Sequence, residues 1–291
     1  MEMDVNRLTP GMVLTKDVVG KSGKTIIPEN TELTDLHIEF LKKFLIEKVS
    51  ISPLKTSNEN VDQKEIETLL DNSKEKQILE YTFHQSVQLY KNIFERVMNN
   101  VSLEIYKVRE TWIPIFRKIS EQPLERIIKL LNTISNREMF YAKNVATTML
   151  TVALVKRLGY EEKDLYQIGF AALLCDIGIA KLEEGIHTSR NEQWRMHPIY
   201  SYRLIENEVT INKHAKLAIL QHHEYLDGTG FPSGYTKEKI HPFAQVIAVC
   251  DYVITEYKKN NLDHVITLLN TYKNRKFSEK IVTTFIESLQ E

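Results

Sequence analysis

Residues 222–232 read His-His-Glu-Tyr-Leu-Asp-Gly-Thr-Gly-Phe-Pro. Two adjacent imidazoles and two carboxylates lie next to a turn that contains two glycines and a proline. Imidazole and carboxylate groups bind metal ions, and glycine lets a backbone lie close to a phosphate. The stretch therefore predicts a reactive loop rather than a segment of the core.

His222 and His223 need a helix end if both rings are to face one ion. Adjacent residues on a helix point about 100° apart, so two neighbouring side chains cannot converge from the middle of a helix. The preceding residues 216–221 are typical of a helix, and Asp227-Gly228 is typical of a turn. We therefore expect the pair at a helix terminus, where the backbone redirects the second ring.

Three further candidate metal ligands lie on separate segments. Asp176 follows an apolar run, and His197 precedes Pro198, which suits the first turn of a helix. Asp251 ends the apolar run 246–250, so we expect its carboxylate to be nearly buried and to need a cation or a hydrogen-bond partner. Taken alone, Asp251 suits a helix cap or a salt bridge equally well, and His197 suits packing better. The joint pattern favours metal binding. The other histidines are assigned to the surface or to packing: His37, His84, His187, His214, His241 and His264.

The composition limits the classes of protein to which the chain can belong. Its 291 residues are 42% hydrophobic, which is enough for one large domain and a smaller one. The 38 basic and 39 acidic residues nearly cancel, so general binding to nucleic acid is not expected. The longest apolar stretch, residues 168–180, contains Asp176 and is shorter than the roughly 20 residues of a membrane span. The start lacks a signal peptide, and two cysteines cannot form a disulfide framework, so a soluble cytoplasmic protein is expected.

The sequence predicts a mainly α protein in three parts. Residues 1–53 carry turn residues between short β-favouring runs, which predicts a small β-rich module with one helix near residues 35–45. Residues 54–123 predict a polar linker and long amphipathic helices. Residues 124–291 predict an all-helical domain, because helical patterns follow one another with short breaks.

One apolar stripe runs along the predicted helix at residues 79–101. Its members recur every three or four residues: Leu79, Phe83, Val87, Tyr90, Phe94, Val97 and Val101. We favour packing within the same chain. The alternative is a helical seam between two copies, which would make the protein a homodimer.

The residues together resemble the HD-GYP domains, the bacterial HD phosphohydrolases that hydrolyse cyclic di-GMP. The resemblance covers residues 124–253 and is strongest in the loop from His222 to Pro232, where Phe231 replaces the family's tyrosine. Residues 173–178 resemble the segment that contains the HD pair. Residues 194–198 resemble the next histidine motif, and residues 243–251 the last ligand segment. An HD-type helical domain is therefore expected.

The resemblance implies two metal ions that share Asp176. One ligand set, here called the intact half-site, consists of Asp176, His197, His222 and His223. The other, here called the altered half-site, keeps Asp176 and Asp251 but has Tyr141 and Cys175 where the family has histidines. Ile179 stands at the position of the family's lysine. The resemblance assigns the substrate loop to Asp227, Gly228, Thr229, Gly230, Phe231 and Pro232.

Three functions are compatible with one intact and one altered half-site. The favoured one is a signalling protein that holds one divalent ion, iron, manganese or zinc, and binds a cyclic dinucleotide or a protein partner with impaired hydrolysis. Two ions acidify the attacking water more than one does, so losing one impairs hydrolysis. The second is an active phosphodiesterase in which Cys175 or a water replaces a histidine, and a Cys175 thiolate would favour zinc. The third is a protein-interaction module.

Overall fold

The computed structural model of the protein describes residues 2–19, 25–34, 37–38, 41–42, 46–52, 63–182 and 192–289. The chain divides into two compact units, Met1–Thr68 and Leu69–Glu291. The predicted helix near residues 35–45 falls largely on residues outside the described ranges, as does His187.

The N-terminal unit is built on short antiparallel strands. They are β1 (Glu2–Asp4), β2 (Val13–Leu14), β3 (Val18–Val19), β4 (Thr25–Ile27) and β5 (Lys48–Ser52). The first sheet has the order β1-β5-β2, with Met3 opposite Val49, and β3 pairs with β4. Alternate residues of β5, Val49 and Ile51, are buried with Leu14. The predicted small β-rich module is confirmed.

Helices form the second unit. They are α1 (Gln63–Met98), which begins before the unit boundary, α2 (Ile105–Ile119), α3 (Leu124–Lys129), α4 (Met139–Arg157), α5 (Glu162–Leu174), α6 (His197–Ile205), α7 (Lys213–Gln221), α8 (Pro242–Tyr257), α9 (Leu262–Tyr272) and α10 (Glu279–Glu287). The predicted mainly helical fold is confirmed. Within the described ranges, every helix is too short or too polar to cross a membrane.

α4 is the central helix of this unit. Its residues Val145, Met149 and Val152 are buried, and so are most of their neighbours on every face. A helix that is apolar all round has to be enclosed by others. α4 packs against α5 and α8, the helices that lead to Asp176 and carry Asp251, so the core holds these two acidic segments close together.

The apolar stripe of α1 packs inside the chain. Its buried members are Leu79, Phe83, Val87, Tyr90, Phe94 and Val97. They join the same core as α4, so the segment expected to link the domains packs with the C-terminal helices from residue 69 onward. Val101 remains exposed. The packing of these six residues within one chain is thereby confirmed, and the homodimer stays a prediction.

The end of α1 is attached to the segment that follows Asp176. Nζ of Lys181 donates to the Val97 carbonyl at 2.5 Å and to Oδ1 of Asn100 at 2.8 Å. Lys181 ends the 3-10 helix Ile177–Lys181. This contact holds α1 against the part of the unit that contains the predicted metal ligands.

Candidate metal centre

Four predicted ligands come together in the helical unit: Asp176, His197, His222 and His223. One ligand atom from each lies within 4.8 Å of all the others. His197 is the first residue of α6, and His222 follows α7 directly as its C-terminal cap. The predicted positions of His197 and of the histidine pair at helix ends are confirmed. Because α7 ends at Gln221, the chain turns there and both rings reach one point.

The atoms that meet in this group all carry lone pairs. Nε2 of His197 lies 3.2 Å from Nε2 of His222, and Oδ1 of Asp176 lies 3.0 Å and 3.4 Å from the two nitrogens. The Nδ1 atoms of the two rings lie 2.7 Å from the carbonyls of Trp194 and Ile219. A carbonyl only accepts, so each Nδ1 carries the hydrogen and each Nε2 of a neutral ring presents a lone pair. Three converging lone pairs repel one another unless a cation lies between them. The residues therefore fit a divalent metal ion.

The histidines of this group are more deeply buried than the carboxylate. The exposed fractions are 0% for His197, 1% for His222 and 8% for His223, against 22% for the Asp176 side chain. Burial by itself raises the pKa of the Asp176 carboxyl, but the His197 and His222 rings, in the form that carries a proton on Nε2, donate to the carboxylate and hold that pKa well below its ordinary value. Asp176 therefore offers a negative charge to a cation, and its partly open side leaves room for a ligand.

Gly178 allows Asp176 to lie this close to α6. A Cβ atom on Gly178 would lie 2.4 Å from the His197 carbonyl oxygen and 2.4 Å from the Ser201 nitrogen. Any larger residue would push the two segments apart. The Gly178 N–H donates to Oγ of Ser201 at 2.8 Å, and the Ser201 hydroxyl donates to the Cys175 carbonyl at 2.6 Å. These bonds fix Asp176 beside His197.

The loop after the histidine pair folds back onto that pair. A Cβ atom on Gly230 would lie 2.4 Å from the His223 carbonyl oxygen and 2.5 Å from Cα of Glu224. The buried Glu224 carboxylate accepts the N–H groups of Ser233 at 2.7 Å and Tyr235 at 3.0 Å. The sequence suggested that the loop glycines admit a phosphate. At Gly230, however, the atoms close to the glycine belong to the protein's own backbone at His223 and Glu224. The loop folds over these two residues, and its N–H groups surround the Glu224 carboxylate.

Asp227 and Thr229 shape the tip of the loop. Oδ1 of Asp227 accepts from the Thr229 N–H at 3.0 Å and from its hydroxyl at 2.6 Å. Nε of Arg275 lies 3.6 Å from Oδ2 of Asp227. Burial alone raises the pKa of Asp227, but the bonds from Thr229, with Lys276 and Arg275 nearby, lower it. These contacts give the loop residues a structural role, and their predicted contact with substrate stays a prediction.

Aromatic rings cover one side of the histidines. The Phe231 ring is stacked on the His223 ring, with centroids 4.6 Å apart and an interplanar angle of 29°. The Trp194 ring lies 4.8 Å from His197 and 5.4 Å from Phe231. The guanidinium carbon of Arg195 lies 5.0 Å from the Phe231 centroid. Trp194 and Arg195 belong to the histidine motif of residues 194–198, but no separate role was predicted for them, although an aromatic and a basic residue just before a ligand histidine were a usable signal.

Cys175 and Ile179, in the altered half-site, do not join the four ligands. The Cys175 thiol is buried and donates to the Ala172 carbonyl at 3.2 Å. Burial raises the pKa of Cys175 well above its usual range, and the Asp176 and Asp251 carboxylates add to this effect. Both the hydrogen bond within its own helix and the raised pKa favour the thiol over a thiolate, and the role of Cys175 as a metal ligand stays a prediction. Ile179 is buried in the apolar core and places no charge at the family's lysine position.

Tyr141 packs in an aromatic cluster with residues of α1. Its ring centroid lies 6.4 Å from Tyr90, 5.6 Å from Phe94 and 5.3 Å from Phe140. Tyr90 is fully buried, and its hydroxyl has no hydrogen-bond partner in the part of the chain that the structure describes. Burial raises the pKa of Tyr90 well above its ordinary value, and the Asp176 carboxylate adds to the rise. Tyr90 thus borders the altered half-site, although its place in an apolar stripe predicted only a core role.

Asp251 lies in the interior of α8, next to the same half-site. Its side chain is partly exposed, and its carboxylate makes no hydrogen bond or ion pair with any residue within the described ranges. Burial raises the pKa of Asp251, the Asp176 carboxylate raises it further, and the Lys143 ammonium opposes both. Asp251 is outside the group of four, so its role as a metal ligand stays a prediction. Lys143 is a nearby cation that the sequence analysis did not single out.

Two histidines that were assigned to the surface or to packing form a pair. Nδ1 of His214 lies 2.8 Å from Nε2 of His241. Nδ1 of His241 accepts the N–H of Phe243 at 3.2 Å and so caps α8. The His241 N–H donates to Oε1 of Gln221 at 2.8 Å, and Gln221 is the residue before His222. His241 therefore connects the start of α8 with the end of α7 beside the candidate metal centre, and through His214 it also contacts the start of α7.

We expect the metal-free protein to become less stable as the pH falls from about 7.5 to about 5.5, in part because of His241. Burial lowers the pKa of His241 below 6.5, and His214 lowers it further. At pH values between this lowered pKa and 6.5, the unfolded chain binds more protons than the folded chain. The contribution of His241 to the free energy of unfolding is therefore fully present above pH 6.5 and is lost as the pH falls through this window. In His241→Asn, asparagine keeps a capping acceptor but does not titrate. The Tm of this variant should therefore fall less over the same pH range than that of the original protein, with a difference of roughly a few degrees. Thermal melts followed by circular dichroism, with a chelator present, measure this. Equal pH dependence in both proteins would contradict the assignment.

Comparison with known protein sequences agrees with the geometry. The family model described as HD domain matches residues 125–261, a range that includes all four grouped ligands. Over 132 residues the chain is 29% identical to the cyclic di-GMP phosphodiesterase PA4108 of Pseudomonas aeruginosa, covering 43% of this chain and 32% of that protein. Over 277 residues it is 22% identical to the cyclic di-GMP phosphodiesterase PdeB of Borreliella burgdorferi, covering 90% of this chain and 72% of that protein.

A third relative and a solved structure extend the comparison. A cyclic di-GMP phosphodiesterase of Thermotoga maritima is 24% identical over 220 residues, covering 70% of this chain and 58% of that protein. The matches thus span about a third of the Pseudomonas protein and more than half of the other two. The fold is similar to that of Bd1817 from Bdellovibrio bacteriovorus, described as an HDG"Y"P protein, with a TM-score of 0.53 and 15% identity over 100% of this chain and 99% of that one. At this identity the likeness concerns the fold alone.

Proposed function

This chain belongs to the HD-GYP family of HD-domain proteins, and we propose that it is a degenerate member with a signalling role. In this proposal it holds one divalent ion per chain, binds a cyclic dinucleotide of the cyclic di-GMP class and hydrolyses it slowly or not at all. The asymmetry of the site carries the proposal. Four ligand atoms lie within 4.8 Å of one another, whereas Tyr141, Cys175 and Ile179 stand where the family resemblance implies two histidines and a lysine.

The intact half-site would hold the ion through Asp176, His197, His222 and His223. Three imidazoles and a carboxylate suit iron, manganese or zinc. When bound, the ion supplies positive charge for a phosphate oxygen and lowers the pKa of water. The Nδ1 bonds to the Trp194 and Ile219 carbonyls hold the histidine rings in the binding tautomer.

Binding of a cyclic dinucleotide should depend on the metal because of the charges in the site. Asp176 carries a negative charge, and burial together with this charge raises the pKa of the Asp251 carboxyl. Two carboxylates repel a phosphate. Among the protein's own groups, Lys143 opposes them at Asp251, but Ile179 adds no cation. The intact half-site therefore needs its ion before an anionic ligand can lie beside Asp176.

The second candidate is an active phosphodiesterase with an altered metal centre. It is favoured by the Asp251 carboxylate, which has no hydrogen-bond or ion-pair partner within the described ranges and so is available to a second ion shared with Asp176. The three curated relatives named above are cyclic di-GMP phosphodiesterases, which also supports hydrolysis. Against it stand the buried thiol of Cys175 and the Tyr141 ring, which packs with α1.

Metal content and ligand turnover distinguish these candidates. The purified protein is loaded in turn with Mn²⁺, Fe²⁺ and Zn²⁺, metal per chain is measured by plasma mass spectrometry, and cyclic di-GMP binding by calorimetry. Product is followed by liquid chromatography. We expect one ion per chain, binding only with metal, and turnover about 100-fold or more below that of a two-metal relative. Two ions with comparable turnover would establish the second candidate. Neither metal nor binding would leave the protein-interaction module.

A further inference from the structure

We propose that Arg195 binds the second phosphate of the cyclic dinucleotide, the phosphate that does not lie at the metal ion. This inference rests on the proposed function and names the residue that would recognise a two-phosphate ligand. It goes beyond the sequence motifs, in which Arg195 had no role.

Arg195 is an exposed cation with no counter-ion among the described residues. It makes no ion pair or hydrogen bond with any residue in the ranges that the structure describes. Its one described contact is with Phe231, with the guanidinium carbon 5.0 Å from the ring centroid. A guanidinium over an aromatic face keeps its N–H donors free at its edges. The charge is therefore held in place while its donors stay available to an anion.

Phe231 connects this cation to the metal ligands. Its ring is stacked on His223 at 4.6 Å, and the Trp194 ring lies 5.4 Å away, edge to face. His223 is one of the four grouped ligands. Arg195 thus contacts the Phe231 ring, and that ring in turn is stacked on His223, one of the candidate ligands. A guanidinium has no lone pair to donate, so Arg195 would not compete with the histidines for an ion held there.

A cyclic dinucleotide requires such a second cation. Each of its two phosphates carries one negative charge. A divalent ion held by the Asp176 carboxylate and three neutral imidazoles leaves one net positive charge, which offsets one of them. The two phosphates are separated by one nucleoside sugar on either side of the ring, so the second phosphate lies away from the one at the ion. Guanidinium groups bind phosphate with two parallel hydrogen bonds. Position 179 is isoleucine and Lys143 lies near the Asp251 carboxylate, so in this proposal Arg195 supplies the second positive charge.

Calorimetric titration of the metal-loaded protein with cyclic di-GMP tests the proposal. Arg195→Gln should weaken binding about 10- to 100-fold, the usual effect of losing hydrogen bonds to a charged group. Arg195→Lys, which keeps the charge but not the planar fork, should recover part of the affinity. The dependence of log Kd on log salt concentration should also become weaker by about one in Arg195→Gln. Metal content should not change in either variant.

The matched control is Arg203→Gln on α6, which removes another exposed arginine. Its affinity for cyclic di-GMP should equal that of the original protein. Equal affinities in Arg195→Gln and the original protein would overturn the role of Arg195 and leave the proposed function intact. Loss of metal together with affinity in Arg195→Gln would also overturn it, because it would show that Arg195 only supports the histidines. Absence of cyclic di-GMP binding in the original protein would overturn the proposed function itself.

Discussion

His222→Ala is expected to lose the bound metal ion while the helical unit remains folded. The ring supplies one of four ligand atoms, and its Nε2 lies 3.2 Å from Nε2 of His197 and 3.4 Å from Oδ1 of Asp176. Changes to outer-shell partners already lower metal affinity about 10- to 100-fold, so loss of a direct ligand should lower it by about 100-fold or more. Metal per chain after gel filtration and calorimetric titration with Zn²⁺ or Mn²⁺ measure the effect.

The fold should survive because the metal-free centre contains mutually repelling lone pairs. Removing His222 costs its bond to the Ile219 carbonyl, worth about 1 kcal/mol, and relieves one of these repulsions. The Tm of the metal-free variant should therefore stay within a few degrees of the original. His264→Ala, which removes an exposed histidine on α9, is the control and should keep its metal. Unchanged metal content in His222→Ala would show that the ion is bound elsewhere.

The double variant Tyr141→His/Cys175→His is expected to bind a second ion and to hydrolyse cyclic di-GMP at least about 100-fold faster than the original protein. The family resemblance places histidines at both positions. Asp176 and Asp251 are already present, and the Asp251 carboxylate has no partner among the described residues. A second ion would offset both carboxylates and acidify the attacking water more strongly. Metal per chain and the rate of linear product formation are the measurements.

The control for this experiment is Tyr141→Phe/Cys175→Ala, which changes the same sites without adding ligands. It should keep one ion and the original turnover. Because histidine is larger than the buried cysteine, circular dichroism and retention of the first ion establish that the double variant is folded. A folded double variant that still holds one ion would refute the idea that these two substitutions account for the missing half-site. Adding Tyr90→Phe then shows whether the buried hydroxyl bordering that half-site opposes the ion.

Local patterns in the sequence were sufficient for the main features of the fold. Apolar residues at helical spacing predicted the helices, and the stripe on α1 correctly indicated burial, because periodicity records which face of a helix avoids water. The same periodicity could not tell a core tyrosine from one that borders a metal site. Tyr90 satisfies the stripe, yet its hydroxyl has no hydrogen-bond partner among the described residues, and burial, together with the Asp176 carboxylate, raises its pKa. At position 90, a core residue and a residue beside a metal site show the same apolar spacing in the sequence.

The sequence by itself determined the family, the mainly helical fold and the placement of His197 and His222 at helix ends, because these depend on neighbouring residues and local backbone geometry. Only the tertiary structure brought the four ligand atoms within 4.8 Å of one another. It also made Cys175 a buried thiol and placed Arg195 over Phe231. These contacts join segments far apart in the chain, and they depend on how helices pack and on close approaches such as that of Gly178 to α6. No local pattern contains that information, since the distance between two side chains is fixed by the packing of the elements that carry them.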